Sequence, residues 1–133
     1  MLFRSQARYR KDSLREVDPQ TLERYFVSDS DSSEQPAEAY QVIADIRRLV
    51  TFRRVNLLEK AYWKSMSNRF DLIVCSNLLV FLSNTAARQM VTNMANSLSE
   101  GGYLMVAPGE ESLVISPHLK QTGERLSFFQ RSG

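Results

Sequence analysis

The stretch Phe70-Asp71-Leu72-Ile73-Val74-Cys75-Ser76-Asn77-Leu78-Leu79-Val80-Phe81 decides the reading of this chain. Its first six residues form a continuous, largely apolar run of strand length. Runs of that kind suit parallel strands covered on both faces. Downstream, Thr85 to Leu98 reads as a helix, with Ala87, Met90, Val91, Met94 and Leu98 recurring on one face. Glu100-Gly101-Gly102 is expected to end that helix by supplying left-handed backbone. Tyr103 to Ala107 is the next buried strand. Strand, helix, Gly-Gly and strand in that order is α/β logic. The 70–75 and 102–107 strands are joined by a helical crossover, so they should run parallel, with a right-handed connection. Arg125 to Gln130 reads as a last strand after a Thr122-Gly123-Glu124 turn.

Upstream, residues 7–27 read as helix. Asp18-Pro19 is its clearest start signal, Asp as N-cap and Pro at the first helical position. Residues 28–38 are polar, acidic and helix-breaking, and read as a loop. Tyr25 to Val27 and Tyr40 to Val42 flank that loop and are placed to pair as two short strands. Ile43 to Leu49 reads as a short helix, with Ile46, Leu49 and Val50 inward. Val50 to Val55 alternates, with β-branched and aromatic residues, and reads as a further strand.

Composition narrows the function classes. The 133 residues give room for one domain. Hydrophobic residues at 43% and charged residues at 24% are an ordinary globular mix. A net charge of +2 is too weak to argue for nucleic acid or an anionic membrane. No apolar run approaches the ~20 residues of a membrane span. One cysteine excludes an internal disulfide, and one histidine argues against a His-based metal site, so no metal is expected. No secretory signal is visible, so a reducing cytoplasm is the default location. Met1 to Ser5 is set apart as an artefact or a disordered lead. The DNA string CTCTTCCGATCT, the end of a common sequencing adapter, translates as Leu-Phe-Arg-Ser, the residues at 2–5.

In open α/β sheets, ligands bind beyond the carboxyl ends of the strands. Asn56 follows strand 50–55 and Asn77 follows strand 70–75. An amide there offers a donor and an acceptor to a planar heterocycle or an amino acid. The alternative is that each Asn caps its strand and bonds local backbone. Other residues also carry two readings. Cys75 is a reactive thiol or inert packing. His118 is a general base or a surface histidine. Glu110-Glu111 binds a partner chain or a cation, or is a solvated loop pair. Arg47, Arg48, Arg53 and Arg54 meet an acidic helix or form a solvated face. Met90 and Met94 are core packing.

The 70–81 segment resembles a signature of CheR-type methyltransferases, whose usual string is F-D-x-I-F-C-R-N-V-x-I-Y-F. These enzymes transfer methyl groups from S-adenosylmethionine to glutamates of chemotaxis receptors. Ser13-Leu14-Arg15 and Arg24-Tyr25-Phe26 resemble the family's helical lead-in. Ile46-Arg47 through Val50-Thr51-Phe52, with Asn56-Leu57-Leu58, resembles I-R-x-x-V-x-F-x-x-x-N-L-L. Gly101-Gly102-Tyr103-Leu104 resembles the strand after the family's P-G-G turn. The resemblance runs from about Ala7 to Arg131.

It implies part of a Rossmann-like, class I S-adenosylmethionine-dependent sheet, occupying 6–133, with 25–42 as a small inserted β-hairpin subdomain. Asn56 and Leu57 would lie beside the adenosine of the cosubstrate, S-adenosylmethionine. Ser76 and Asn77 would lie where the chain crosses the methyl-donor pocket. The implied partner is an acidic methyl-accepting protein or chemoreceptor cytoplasmic helix. Ser76 stands where the family has Arg, and Phe81 where it has Tyr. Arg to Ser removes a fixed charge and a bidentate fork. Ala107-Pro108-Gly109-Glu110 replaces the usual G-H-S-E. The family's glycine-rich loop, G-x-S-x-G-E-E, and its acidic ribose-holding residue have no counterpart in this chain. The chain therefore reads as a C-terminal portion of the domain, missing the N-terminal part of it. Alone it should bind the cosubstrate weakly or not at all. A hole between strands 50–55 and 70–75 should leave unpaired apolar edges and poor stability. A degenerate, non-catalytic scaffold that binds a signalling partner is the alternative.

Overall fold

The computed structural model describes residues 6–28, 39–123 and 127–132. Met1 to Ser5, residues 29–38 of the acidic loop, Glu124 of the expected turn, Arg125 and Leu126 of the expected last strand, and Gly133 lie outside the described residues. Its contacts divide the chain into two compact units, 1–54 and 55–133.

The first unit carries a three-stranded antiparallel sheet of order β1-β3-β2, with β1 Arg8–Arg10, β2 Phe26–Ser28 and β3 Ala39–Val42. The expected hairpin is present, with Phe26 opposite Val42 and Ser28 opposite Tyr40. Helix α1, Pro19–Tyr25, starts where the sequence says: Asp18 Oδ1 accepts the Thr21 N–H at 2.9 Å, and Pro19 takes the first turn. The helix expected over 7–27 is otherwise corrected. Arg8–Arg10 pairs with the far edge of β3, and Lys11–Leu14 is a 3-10 turn. A ladder with β3 satisfies backbone groups that local propensity alone would have placed in a helix. The Tyr9 and Phe26 rings, one from each flanking strand, meet edge to face at 6.2 Å.

Helix α2 is only Ala44–Arg47, and Leu49 and Val50 are exposed rather than inward. Residues 50–55 form no strand, and Phe52 is 59% exposed. A strand exists only through its ladder, and no described edge pairs with this segment.

The second unit holds a mixed sheet of order β4-β5-β7-β6. Its elements are α3 Lys60–Lys64, β4 Phe70–Cys75, α4 Asn84–Ser97, β5 Leu98–Val106, β6 Leu119–Gln121 and β7 Phe128–Arg131. β4 and β5 are parallel, as the crossover helix requires, and β7 runs antiparallel to both β5 and β6. Ser83 caps α4 by accepting the Ala86 N–H at 3.3 Å. The expected inward stripe of α4 is buried throughout and packs with Leu79, Leu104, Val106 and Phe129 into one core. At roughly 1.5–3 kcal/mol for each large apolar side chain fully removed from water, this cluster is the main stabilising feature of the unit.

The Gly-Gly pair does a different job from the one expected. α4 ends at Ser97 and runs directly into β5 at Leu98. Gly101 and Gly102 lie inside β5, at an irregularity between the Phe70–Leu98 and Leu72–Tyr103 pairs. Gly101 takes φ +76°. A Cβ on Gly102 would meet the backbone oxygens of Ser99, Phe70 and Asp71 at 2.9–3.1 Å. The pair lets β4 and β5 approach closely across the bulge.

β4 is also not covered on both faces. Ile73 and Cys75 face the core, but Leu72 and Val74 are 53% and 56% exposed, and one edge of β4 pairs with no described strand.

Candidate functional site

The chain leaves β4 at its carboxyl end through Ser76, Asn77 and Leu78, then makes a 3-10 turn over Leu79–Phe81. This loop is held by one side chain, Glu110. Its Oε2 accepts the Asn77 N–H at 2.9 Å and the Ala107 N–H at 3.2 Å. Its Oε1 accepts the Val80 N–H at 3.2 Å. Glu110 is 2% exposed. Burial pushes its carboxyl up, but the backbone donors of Val80, Ala107, Asn77 and Leu79 outweigh that and hold it below the usual carboxylate range. The carboxylate therefore sits ionised in a nest of N–H groups and ties the loop after β4 to the end of β5.

Sequence reading placed Glu110-Glu111 at a receptor, at a cation or in solvent, and the buried clamp corrects that for Glu110. Glu111 is a local clasp as well, accepting from the Gly109 N–H at 2.7 Å and the Ser127 hydroxyl at 3.0 Å. The signal for Glu110 was thin: an acidic residue one turn after a buried strand, with no cation near it in sequence.

Clamping places Asn77 at φ +55°, a left-handed conformation that Asn tolerates better than most residues. Its side chain is exposed, and Nδ2 donates to Ser76 Oγ at 3.3 Å. Ser76 lines a cavity of about 360 Å³ beside the unpaired edge of β4. Leu57, Tyr62 and Trp63 form its other wall, and Met90 and Met94 lie beneath it. Trp63 Nε1 donates to the Leu57 carbonyl at 2.7 Å, which fixes the indole against this wall. The cavity is mainly apolar, with Ser76 as a polar rim.

The structure thus brings Leu57 and Ser76 together on one cavity and leaves Asn56 and Asn77 outside its lining. Asn56 Oδ1 accepts the Leu58 N–H at 3.1 Å, so its amide oxygen is engaged in a local turn. Phe81 is 81% exposed and does not line the cavity. Cys75 is buried and forms part of the cavity lining, and its thiol is pushed up to about 11 by burial and, second, by the charge of Glu110. The thiol therefore stays protonated at neutral pH. His118 is exposed. Of the four arginines, Arg48 pairs with Asp45 at 3.0 Å on the surface, and Arg53 and Arg54 are exposed. Among the described residues no cluster of His, Cys, Asp and Glu could hold a metal ion, and no helix is long and apolar enough to cross a membrane.

A parallel pair with a helical crossover, closed by an antiparallel hairpin and carrying a cavity by the strand's carboxyl end, defines an α/β unit of the ligand-binding kind. Comparison with known proteins specifies which. Residues 4–125 match the family described as CheR methyltransferase, SAM binding domain. A chemotaxis protein methyltransferase of Listeria innocua is 30% identical over 105 residues, covering 79% of this chain and 36% of its own length. Chemotaxis protein methyltransferase 2 of Vibrio cholerae is 28% identical over 120 residues, covering 89% of this chain and 39% of its own length. Chemotaxis protein methyltransferase 1 of the same organism is 38% identical over 66 residues, half of this chain and 23% of its own length. The chain belongs to the CheR methyltransferase family, within its S-adenosylmethionine-binding domain. It spans about a third of the length of the relatives that it matches most broadly.

Proposed function

We propose that this chain supplies the C-terminal half of the cosubstrate site of a chemotaxis-type protein-glutamate O-methyltransferase. The observation that carries the reading is the joint placement of Leu57 and Ser76 on one apolar cavity by the carboxyl end of β4. When bound, S-adenosylmethionine brings an electrophilic methyl group on a sulfonium.

The residues present suit its adenosine side. Leu57, Tyr62 and Trp63 offer an apolar wall for a planar base. The Asn56 amide N–H groups stay available as donors. By resemblance, the clamped Ser76-Asn77 backbone is where the chain would cross the methyl-donor pocket. Glu110 acts as a positioning residue, because it sets the path of that backbone. The residues that would hold the rest of the cosubstrate, a glycine-rich loop and an acidic ribose partner, have no counterpart in the sequence. The chain alone should therefore bind S-adenosylmethionine weakly. Its partner in that reading is an acidic methyl-accepting protein or receptor helix.

A specific observation favours a second reading, a non-catalytic member that binds a signalling partner. Ser76 and Phe81 stand where the family carries Arg and Tyr, so a charged fork and a hydroxyl able to position a substrate carboxylate are gone. The coding DNA upstream of codon 6 and a methyl-transfer assay separate the two. If the DNA encodes the glycine-rich loop in frame and the longer product methylates receptor glutamates, the enzyme reading stands. If that product is silent and Ser76→Arg with Phe81→Tyr restores transfer, the scaffold has lost catalysis at those two positions. Silence in both would overturn the enzyme reading.

A further inference from the structure

The second unit has another cavity, of about 440 Å³, that the site above does not use. Lys60, Lys64 and Arg131 supply three cations to its wall, and no carboxylate lines it. Lys60 and Lys64 are four apart on α3, so both ammonium groups emerge from one helix face. Neither makes an ion pair among the described residues. Arg131 is fixed, donating to Asn68 Oδ1 and the Leu98 carbonyl, and contributes an immobile charge. Across the cavity, α4 presents the amides of Gln89, Asn93 and Asn96; Gln89 Nε2 donates to Asn93 Oδ1 at 3.1 Å, which leaves the Gln89 oxygen, the Asn93 NH2 and the Asn96 amide toward the cavity. Trp63 completes the lining and is also part of the wall of the apolar cavity.

We propose that this cavity binds a nucleoside diphosphate or a ligand of the same class, with its phosphates on Lys60 and Lys64 and its base against Trp63 and the α4 amides. Three uncompensated positive charges around a concavity repel one another, and a dianionic group relieves that repulsion. Lysine is a point-charge partner for phosphate. Side-chain amides present the donors and acceptors that a base edge needs. The volume lies within the ~300–1,000 Å³ of small-molecule sites, which is more than a bare phosphate requires.

Trp63 is the only tryptophan in the chain, so it reports directly. The experiment titrates the 133-residue chain with N-methylanthraniloyl-GDP and follows energy transfer from Trp63. Saturable transfer is expected, displaced by GDP, and weakened as salt rises. Lys60→Gln with Lys64→Gln should weaken binding about tenfold or more, because two charge-assisted contacts are lost. The far-UV circular dichroism of that variant should be unchanged. S-adenosylhomocysteine carries no phosphate and should not compete, which keeps this site separate from the cosubstrate cavity. Four results would overturn the proposal: no transfer, equal binding by the folded lysine variant, equal competition by S-adenosylhomocysteine, or pyrophosphate competing as well as GDP.

Discussion

Replacing Glu110 by Gln tests the clamp on the loop after β4, and its cost follows from the three N–H groups that the carboxylate accepts. With the amide oxygen at the Oε2 position, the Asn77 and Ala107 N–H groups keep an acceptor, at 2.9 and 3.2 Å in the native chain. The Val80 N–H then faces an amide NH2 and loses its partner. An unsatisfied donor costs roughly 1–3 kcal/mol, and turning a charged acceptor neutral removes about 1 kcal/mol from each remaining bond. The sum is roughly 3–5 kcal/mol, a large share of the ~5–15 kcal/mol that holds a domain together.

The pH dependence carries a second signature. The folded carboxyl lies below its unfolded value of about 4.3. Its contribution is therefore present above that value and lost as pH falls through the lower folded value. Wild type should lose stability on acidification below about pH 4.5, and the difference from Glu110→Gln should narrow there. Urea unfolding followed by Trp63 fluorescence, between pH 3 and pH 7, is the assay. Equal midpoints at pH 7, or parallel pH profiles, would refute the clamp.

Three further outcomes are expected. Gly102→Ala should lower stability by about 2 kcal/mol or more, read by thermal unfolding, because its Cβ meets only backbone oxygens, which cannot move aside cheaply. Leu104→Ala should cost ~2–5 kcal/mol in urea unfolding because Leu104 is fully buried, whereas Leu72→Ala on the bare face of β4 should cost under about 1 kcal/mol. Cys75 should react with a disulfide reagent at pH 8 far more slowly in the folded chain than in urea, since the folded thiol titrates near 11 and is buried.

Elements whose pattern is self-contained were legible from sequence. The apolar run at 70–75, the α4 stripe and the Asp18-Pro19 start each state their structure within a few residues. Elements that depend on a distant partner were not. Arg8–Arg10 becomes a strand only because β3 offers an edge. Residues 50–55 have strand chemistry but find no described edge, and stay without a ladder. The Gly-Gly pair looked like a helix stop because its true constraint, the backbone of Phe70 and Asp71, lies about thirty residues away. The site divides in the same way. Leu57 and Ser76, singled out by resemblance, line one cavity. Glu110 was not legible, because its role consists of N–H groups on a loop about thirty residues upstream. Asn56 in a local turn and Asn77 after β4 each bond to a neighbouring residue.

The proposed role of Leu57 and Ser76 is to form part of an S-adenosylmethionine site. It is tested most directly by calorimetric titration of S-adenosylhomocysteine into the 133-residue chain, into a longer product whose upstream coding DNA supplies a glycine-rich loop, and into that product with Leu57→Asp. Weak or no heat is expected for the short chain, saturable binding for the extended product, and a loss of about tenfold or more when a charge is placed in the apolar wall. No binding by a folded extended product, or binding that Leu57→Asp leaves unchanged, would contradict it.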